Sequence, residues 1–377
     1  MTTISSSVEN PLKRLARFGQ SIWLDYIRRS LMTSGELRRL VEQDGLGGMT
    51  SNPSIFEKAI AEGEEYGDFL KQLRADKTLD AKAIFERLAI RDIQDAADVL
   101  RPVYNATGLR DGYVSLEVAP TLAHRTQETV EEARRLWKAV DRPNLMIKVP
   151  GTPEGLPAVE TLLSEGINVN ITLLFSQEVY EEVAWAFVRA LERRAEQGLP
   201  VAGIASVASF FVSRIDTMVD GLIDRKLPGS NEAERALAES VRSRVAIANA
   251  KLAYERYQRI FSGPRWEALA AKNAQTQRVL WASTSTKNPK LRDVLYIEEL
   301  IGRDTVNTIP PATFDAFRDH GEPRASLTED VDGARQAMAN LAAAGISIQD
   351  VTADLVTAGV KQFEDAFTKL LAVIEAK

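Results

Sequence analysis

The sequence predicts an α/β fold, a closed (β/α)8 TIM barrel with additional helices, and two observations carry this prediction. Short β-rich runs recur eight times along the 377 residues, and each is followed by a segment with helical signals. Strict alternation of eight strands with helices fits a closed barrel better than an open, doubly wound sheet. No glycine-rich phosphate loop of the dinucleotide-binding or Walker type follows the first strand, which weakens the open-sheet alternative.

The eight β-rich runs predict the strands in order. They cover residues 22–25, 45–50, 112–118, 145–149, 167–173, 203–208, 279–283 and 305–309.

Capping residues mark the helices between these strands. Ser176 precedes a helix predicted over 177–197, which has acidic residues early and arginines late and ends before Gly198. Apolar residues at a period near 3.6 predict another helix over 122–140. A capping residue followed by proline at the first helical position predicts three more helix starts, at Asn52-Pro53, Thr152-Pro153 and Asn288-Pro289.

Several stretches exceed a minimal barrel. We predict helical insertions at about 66–104 and 226–273, and terminal helices packed on the outside of the barrel at about 326–377. Residues 1–12 are expected to be flexible. The length alone suggests two or three domains of roughly 150 residues each. Eight alternating units without a low-complexity linker instead predict one domain over residues 1–377.

Composition limits the chemistry. The chain has no cysteine and two histidines, which excludes disulfides, thiol nucleophiles and thiolate zinc sites, and leaves acid-base work to carboxylates and lysines. The net charge of -6 argues against nucleic acid as the main partner. No secretory signal and no apolar stretch of about 20 residues is present, so we expect a cytoplasmic protein that does not bind membranes.

A lysine on the fourth strand is the strongest candidate for catalysis. Alternate residues of a barrel strand face the interior, which branched apolar side chains normally fill. Ile147 and Val149 share the outer face, which leaves Lys148 pointing in. A buried ammonium is costly unless it is paired, and burial favours the neutral amine that attacks a carbonyl. We therefore interpret Lys148 as functional.

Neighbouring strands add polar residues on their inner faces. The same alternation places Glu117 inward on the third strand, Asn170 and Thr172 inward on the fifth, and Asp25 opposite the apolar face of the first. Together with Lys148 they surround one point. An amine that forms an imine, with carboxylates and a hydroxyl that move protons through water, suits Schiff-base chemistry on a carbonyl substrate.

Three of the candidate residues also have structural explanations, which the sequence leaves open. Asn52 is a suitable helix N-cap, and Thr172 could bond to nearby backbone at a strand end. Asp25 could pair with Arg28 or Arg29.

The later strands indicate an anion site. Residues 209–214 follow the sixth strand, and residues 281–289 end the seventh strand at the predicted helix start. Phosphate sites in such barrels use hydroxyls, backbone N–H groups and a helix N-terminus together with basic side chains. Arg214 and Lys287 supply the basic side chains here. The alternative is that residues 283–286 only cap the following helix.

Four stretches resemble the transaldolases, class I aldolases of the non-oxidative pentose phosphate pathway. They occur in order from the second strand to the sixth. The stretches are GMTSNPSIF at 48–56, LMIKVPGTPEGL at 145–156, GINVNITLLFS at 166–176 and SFFVSR at 209–214. The length and the insertions resemble the larger transaldolase type.

The resemblance implies a role for each matched residue. Lys148 is the Schiff-base nucleophile, Glu117 and Thr172 hold the catalytic water, and Asp25 is the acid-base for C–C cleavage. Substrate ligands are implied at Asn52 and Asn170, and phosphate contacts at Ser209 and Arg214. At the seventh strand many family members carry Ser-x-Arg. The resemblance implies that Lys287 replaces this arginine in the present sequence, and that either Ser283 or Ser285 corresponds to the serine. Lysine is a point charge and lacks the bidentate fork of arginine.

The implied reaction moves a dihydroxyacetone unit from sedoheptulose 7-phosphate to glyceraldehyde 3-phosphate. The partners implied are therefore small phosphorylated sugars, with no metal or organic cofactor and a monomer or homodimer as the assembly.

Three alternatives remain. A fructose 6-phosphate aldolase is the nearest, but those enzymes tend to carry Gln and Tyr where this chain has Glu117 and Phe211. A retaining glycosidase would use Asp25 and Glu117 as a carboxylate pair about 5 Å apart, which leaves Lys148 unexplained. A non-catalytic phosphosugar-binding barrel would use only the anion-site residues.

Overall fold

Eight parallel strands form the centre of the molecule. The computed structural model describes residues 9–376. Consecutive strands pair with each other and the last pairs with the first, so the sheet closes into a barrel and the predicted (β/α)8 architecture is confirmed. The strands are β1 (Gln20–Asp25), β2 (Gly48–Thr50), β3 (Tyr113–Glu117), β4 (Leu145–Pro150), β5 (Val169–Leu174), β6 (Ser206–Phe211), β7 (Arg278–Ala282) and β8 (Thr305–Ile309).

Helices surround the barrel. The described residues form α1 (Pro11–Arg14), α2 (Arg29–Thr33), α3 (Glu36–Asp44), α4 (Pro53–Glu62), α5 (Gly67–Arg74), α6 (Ala81–Ala106), α7 (Thr126–Val140), α8 (Gly155–Glu165), α9 (Gln177–Glu196), α10 (Ser213–Lys226), α11 (Glu232–Val241), α12 (Val245–Ile260), α13 (Pro264–Ala270), α14 (Leu295–Glu298), α15 (Pro311–His320), α16 (Val331–Ala343) and α17 (Ile348–Ala376). Short 3-10 helices cover Leu15–Phe18, Glu64–Tyr66, Pro120–Leu122 and Leu227–Gly229.

The strand predictions are right in number and order, with shifted ends. The largest shifts at strand starts are in β2 and β6, which each begin three residues later than predicted, at Gly48 and Ser206. Ser209 therefore lies within β6 and does not follow it. Gly203, at the predicted start, has a φ of +81° and belongs to a turn.

Of the four helix starts predicted from capping residues, two are correct and two are not. Asn52 and Ser176 cap α4 and α9 through their side chains. The helix expected at Thr152 begins at Gly155, whose N–H donates to the threonine hydroxyl at 3.0 Å. The helix expected at Asn288-Pro289 is wrong: the asparagine side chain accepts from the N–H of Lys290 at 3.0 Å, which makes a turn.

The helix predicted over 122–140 begins four residues late. A 3-10 turn at Pro120–Leu122 precedes it, and α7 runs from Thr126 to Val140. The two predicted insertions correspond to α5 with α6, and to α11 with α12 and α13.

The ends of the chain differ from expectation. Residues 1–8 of the segment expected to be flexible lie outside the described residues, whereas Pro11 and Leu12 are buried in α1. The terminal helix α17 does not pack only on the outside, because Gln362 and Phe363 line the cavity at the mouth of the barrel. None of the helices formed by residues 9–376 is both long enough and apolar enough to span a membrane.

A buried ion pair lies at the amino end of the barrel, opposite the cavity. Arg278 of β7 contacts Asp111 at 2.9 Å, and the side chain of the arginine is 5% exposed. The same carboxylate accepts from the indole N–H of Trp23 at 2.9 Å. Removing one partner of a buried pair leaves an uncompensated charge, which costs more than the pair contributes.

We expect Asp111→Ala to lower the free energy of unfolding by about 3–5 kcal/mol, because Arg278 loses its counter-ion in the interior. Urea denaturation followed by circular dichroism measures the change. Asp98→Ala is the matched control, since Asp98 pairs with Arg142 at the surface and its loss should cost at most about 1 kcal/mol. Equal effects of the two variants would contradict the prediction.

Candidate active site

A cavity of about 480 Å³ opens at the carboxyl ends of the strands. Glu117 and Asn170 do not line it, but each contacts a residue that does: Glu117 lies 3.4 Å from Lys148, and Asn170 accepts from Ser209 at 2.7 Å. The other nine predicted site residues do line it: Asp25, Asn52, Lys148, Thr172, Ser209, Arg214, Ser283, Ser285 and Lys287.

Lys148 is a buried amine with an acidic neighbour. It lies in β4 and is 4% exposed. Its Nζ donates to the backbone oxygen of Ser51 at 3.1 Å and lies 3.4 Å from Oε2 of Glu117. The register of β3 and β4 sets this contact, because Glu117 and Lys148 are paired across the two strands.

The Glu117 carboxylate is buried and under-bonded. Within residues 9–376 neither of its oxygens has a hydrogen-bond partner, and the 3.4 Å contact with Lys148 is ionic. Burial raises the pKa of Glu117 to about 7, the positive charge of Lys148 opposes the rise, and the negative charge of Asp25 adds to it. A carboxyl group with this pKa can both accept and donate a proton near neutral pH.

The Thr172 hydroxyl is also fully buried without a hydrogen-bond partner among the described residues. The structural explanation, a bond to nearby backbone, is therefore not observed. An unbonded buried hydroxyl is costly, and such groups are found where a water or a substrate atom completes the bonding.

Asp25 ends β1 inside a chain of hydroxyls. Its Oδ1 accepts from Oγ1 of Thr50 at 2.7 Å, and Thr50 lies 2.7 Å from Oγ1 of Thr308. Burial raises the pKa of Asp25, and the charge of Lys148 is the largest opposing influence. This environment makes the carboxyl group easier to protonate than an exposed aspartate.

The structural explanation offered for Asp25, a salt bridge with Arg28 or Arg29, is not observed either. Arg28 pairs with Glu65 and Arg29 pairs with Asp92, so neither arginine is the salt-bridge partner of Asp25.

The two asparagines differ. Asn52 caps α4 through Oδ1, which accepts from the N–H of Ile55 at 3.0 Å, and it also lines the cavity. Asn170 is fully buried, donates to Oγ of Ser115 at 3.0 Å and accepts from Oγ of Ser209 at 2.7 Å. Both amide atoms of Asn170 are thus occupied, and its contact with the cavity runs through Ser209.

Basic and hydroxyl groups form the other end of the cavity. Arg214 is the second residue of α10, and its guanidinium lies 5.3 Å from the ring centroid of Phe211. Lys287 donates to Oγ of Ser285 at 2.8 Å. Within the described part of the chain neither cation has a carboxylate within 4 Å, although most arginines here are ion-paired. Unpaired cations beside hydroxyls favour a phosphate.

Ser283 is held differently from Ser285. Its backbone has a φ of +55°, and its Oγ lies 3.1 Å from that of Ser213 at the start of α10. This contact fixes the end of β7 against the helix that carries Arg214, whereas Ser285 is bonded to the amine of Lys287.

Several residues at the cavity were not predicted from the sequence. Thr50 and Thr308 lie at or near the carboxyl ends of β2 and β8, so polar residues at strand ends are a sequence signal for both. Lys58 of α4 and Gln362 and Phe363 of α17 also line the cavity. Periodicity within α17 carries no signal that this helix reaches the barrel mouth.

A closed barrel whose cavity holds a buried lysine, an aspartate and two cations without a carboxylate partner among the described residues, with a second carboxyl group 3.4 Å from the lysine, defines an enzyme of the (β/α)8-barrel class. Within residues 9–376, no cluster of three or more carboxylate or imidazole side chains is placed to hold a metal ion.

Comparison with known proteins identifies the family. The chain belongs to the transaldolase/fructose-6-phosphate aldolase family, whose model matches residues 22–374. It is 48% identical to a transaldolase of Trichodesmium erythraeum over 98% of both chains. It is 50% identical to transaldolase 2 of Nostoc punctiforme, over 98% of this chain and 97% of the relative. It is 49% identical to a transaldolase of Thiobacillus denitrificans, over 97% of this chain and 99% of the relative.

Proposed function

We propose that the protein is a transaldolase that transfers a dihydroxyacetone unit from sedoheptulose 7-phosphate to glyceraldehyde 3-phosphate. The products are erythrose 4-phosphate and fructose 6-phosphate. The observation that carries the proposal is the buried Lys148 amine, which faces the cavity and lies 3.4 Å from Glu117. The names of the full-length relatives support it.

The first half of the reaction forms an imine. The Lys148 amine attacks the ketone carbon and a C–N bond forms, which gives a neutral carbinolamine after proton transfer. The carbinolamine hydroxyl then leaves as water, and Glu117 supplies the proton through a water held by Thr172. The raised pKa of Glu117 suits both the acid and the base role.

The second half breaks and remakes a C–C bond. Asp25 takes the proton of the C4 hydroxyl, the C3–C4 bond breaks, and its electron pair moves into the iminium to give an enamine. The aldose leaves and the acceptor aldehyde enters. The enamine attacks the acceptor carbonyl, Asp25 returns the proton, and hydrolysis releases the ketose from Lys148.

The remaining cavity residues bind the substrate in this proposal. Arg214, Lys287 and the hydroxyl of Ser283 or Ser285 bind the phosphate, and Ser209 adds a hydroxyl to the same end. Asn52 donates to a substrate hydroxyl through the amide nitrogen that its helix-capping role leaves unused. Asn170 contributes by holding Ser209 in place.

Borohydride reduction in the presence of fructose 6-phosphate, followed by peptide mass mapping, tests the proposal. We expect one reduced adduct, on the peptide that contains Lys148, and none without the sugar. No adduct contradicts the Schiff-base mechanism and leaves the phosphosugar-binding barrel as the better description. An adduct on another lysine contradicts the assignment of Lys148 as the nucleophile.

A second measurement separates transferase from aldolase. We expect little free dihydroxyacetone from fructose 6-phosphate alone and rapid turnover once an acceptor aldehyde is added. Rapid release without an acceptor supports the fructose 6-phosphate aldolase alternative.

The pH dependence of kcat/KM is expected to follow Glu117. This profile reports on the free enzyme, in which the carboxylate must be ionised to accept a proton, so kcat/KM should rise as pH increases through about 7. Glu117→Gln should remove this rise and lower kcat/KM about 10²–10⁴-fold. Asp216→Asn is the matched control, because Asp216 is buried outside the cavity with a pKa also near 7. A profile that keeps its rise in Glu117→Gln contradicts the assignment.

We further propose that the chain forms one domain, works in the cytoplasm and exists as a monomer or homodimer. The lack of cysteine among the 377 residues suits a reducing compartment. Light scattering of the purified protein decides the assembly state.

A further inference from the structure

The terminal helix α17 brings an aromatic ring to the reacting lysine. Phe363 is 4% exposed, and its ring centroid lies 5.7 Å from Nζ of Lys148. The next buried phenylalanine of α17, Phe367, faces elsewhere and packs edge-on against Phe85 with ring centroids 5.8 Å apart. Phe363 is thus the phenylalanine of α17 whose ring faces the amine.

Backbone features on both sides allow this approach. Gly359, one turn before Phe363, packs on Leu173, and a Cβ at the glycine would lie 2.9 Å from Leu173 Cδ2. Leu173 follows Thr172 and has a φ of +60°, where the register between β5 and β6 shifts. The helix and the strand therefore meet at a glycine and at an irregularity of the strand, and the glycine, which has no side chain, allows close contact.

We propose that Phe363 positions the reacting nitrogen of Lys148 and stabilises its positive charge during imine formation. The proposal rests on the proposed transaldolase function and adds a residue to it. An aromatic face within about 6 Å of a cation attracts it, most strongly where water is excluded.

The chemistry defines the step at which the ring acts. The carbinolamine is neutral at nitrogen, and the positive charge appears when its C–O bond breaks, water leaves and the C=N bond forms. Glu117 contacts the nitrogen from β3, and Phe363 contacts it from α17. Removing the ring should therefore reduce the amount of cationic iminium more than it weakens binding of the sugar phosphate, whose reacting carbonyl is uncharged.

The test is the amount of iminium trapped by borohydride on Lys148 with saturating fructose 6-phosphate, together with kcat and KM. Phe363→Leu and the closer volume match Phe363→Met should each trap about 3- to 30-fold less adduct, with a similar fall in kcat and little change in KM. Phe363→Tyr keeps the ring face and should stay near the wild-type value.

Phe367→Leu is the matched control, because it removes the same volume from the same helix away from the amine. The proposal predicts wild-type trapping in this variant. Equal losses in Phe363→Leu and Phe367→Leu, or a loss in Phe363→Tyr as large as that in Phe363→Leu, would show a general packing effect and overturn it. Wild-type trapping in Phe363→Leu and Phe363→Met overturns it while leaving the proposed function intact. No trapping in the wild type overturns both.

Discussion

Replacing Lys148 by methionine is expected to abolish turnover, with a fall of more than about 10³-fold in kcat, and to leave the fold intact. Methionine has a similar length and fills the buried volume, but it has no amine to form the imine. The loss of the positive charge leaves Glu117 without its ionic partner, and a buried carboxyl group in that position avoids an unpaired charge by binding a proton. Turnover with sedoheptulose 7-phosphate and glyceraldehyde 3-phosphate measures the effect, and circular dichroism checks the fold.

Two further variants make this result specific. Lys148→Arg keeps a cation beside Glu117 but cannot form the imine, so it should be as inactive as the methionine variant. Lys138→Met removes an exposed lysine from α7 and should keep wild-type turnover. Turnover within tenfold of the wild type in Lys148→Met, or activity in Lys148→Arg, would exclude Lys148 as the nucleophile.

The inward position of Lys148 could be predicted because side chains alternate between the two faces of a strand. The same rule placed Asn170 and Thr172 on the inner face, yet they differ in the structure. Asn170 is in register with Lys148 and bonded on both amide atoms, whereas Thr172 is in register with Pro150 nearer the mouth and lines the cavity. The two-residue repeat of a strand predicts which face of the sheet a side chain occupies. It does not predict how far along the barrel axis the side chain lies, because that depends on the stagger between neighbouring strands.

Helix ends were predictable where a local bond decides them. Asn52 and Ser176 cap their helices because the side chain reaches the N–H three residues on. Asn288 has the same local pattern, but its side chain bonds the N–H two residues on and makes a turn. The sequence motif allows both geometries, and the path of the chain after β7 decides between them.

The position of α17 could not be predicted, because it is a tertiary property. The sequence of this helix shows apolar periodicity, which indicates a buried face but not what that face covers. In the structure the face meets both the surrounding helix α6, through Phe367 and Phe85, and the mouth of the barrel, through Phe363. Two aromatic residues one turn apart thus have different surroundings that no local pattern distinguishes.

Asp25→Asn is expected to separate imine formation from C–C cleavage. Asparagine is nearly isosteric and its amide oxygen can still accept from Thr50, so the cavity wall should keep its shape. The amide cannot take the proton of the C4 hydroxyl, and we expect kcat to fall about 10²–10⁴-fold. Imine formation depends on Lys148, Glu117 and Thr172, so borohydride should still trap the fructose 6-phosphate adduct on Lys148 at a level close to that of the wild type.

Measuring both turnover and the trapped adduct separates a catalytic defect from misfolding, because a misfolded variant would lose both. Asp315→Asn changes an exposed carboxylate that pairs with Arg318, and it should retain both. If Asp25→Asn loses the adduct together with turnover while its circular dichroism spectrum matches that of the wild type, Asp25 acts before C–C cleavage. If it keeps turnover within a few-fold of the wild type, another group moves the C4 proton. Adduct without turnover is the outcome that assigns Asp25 to the bond-breaking step and leaves Glu117 and Thr172 to the water chemistry.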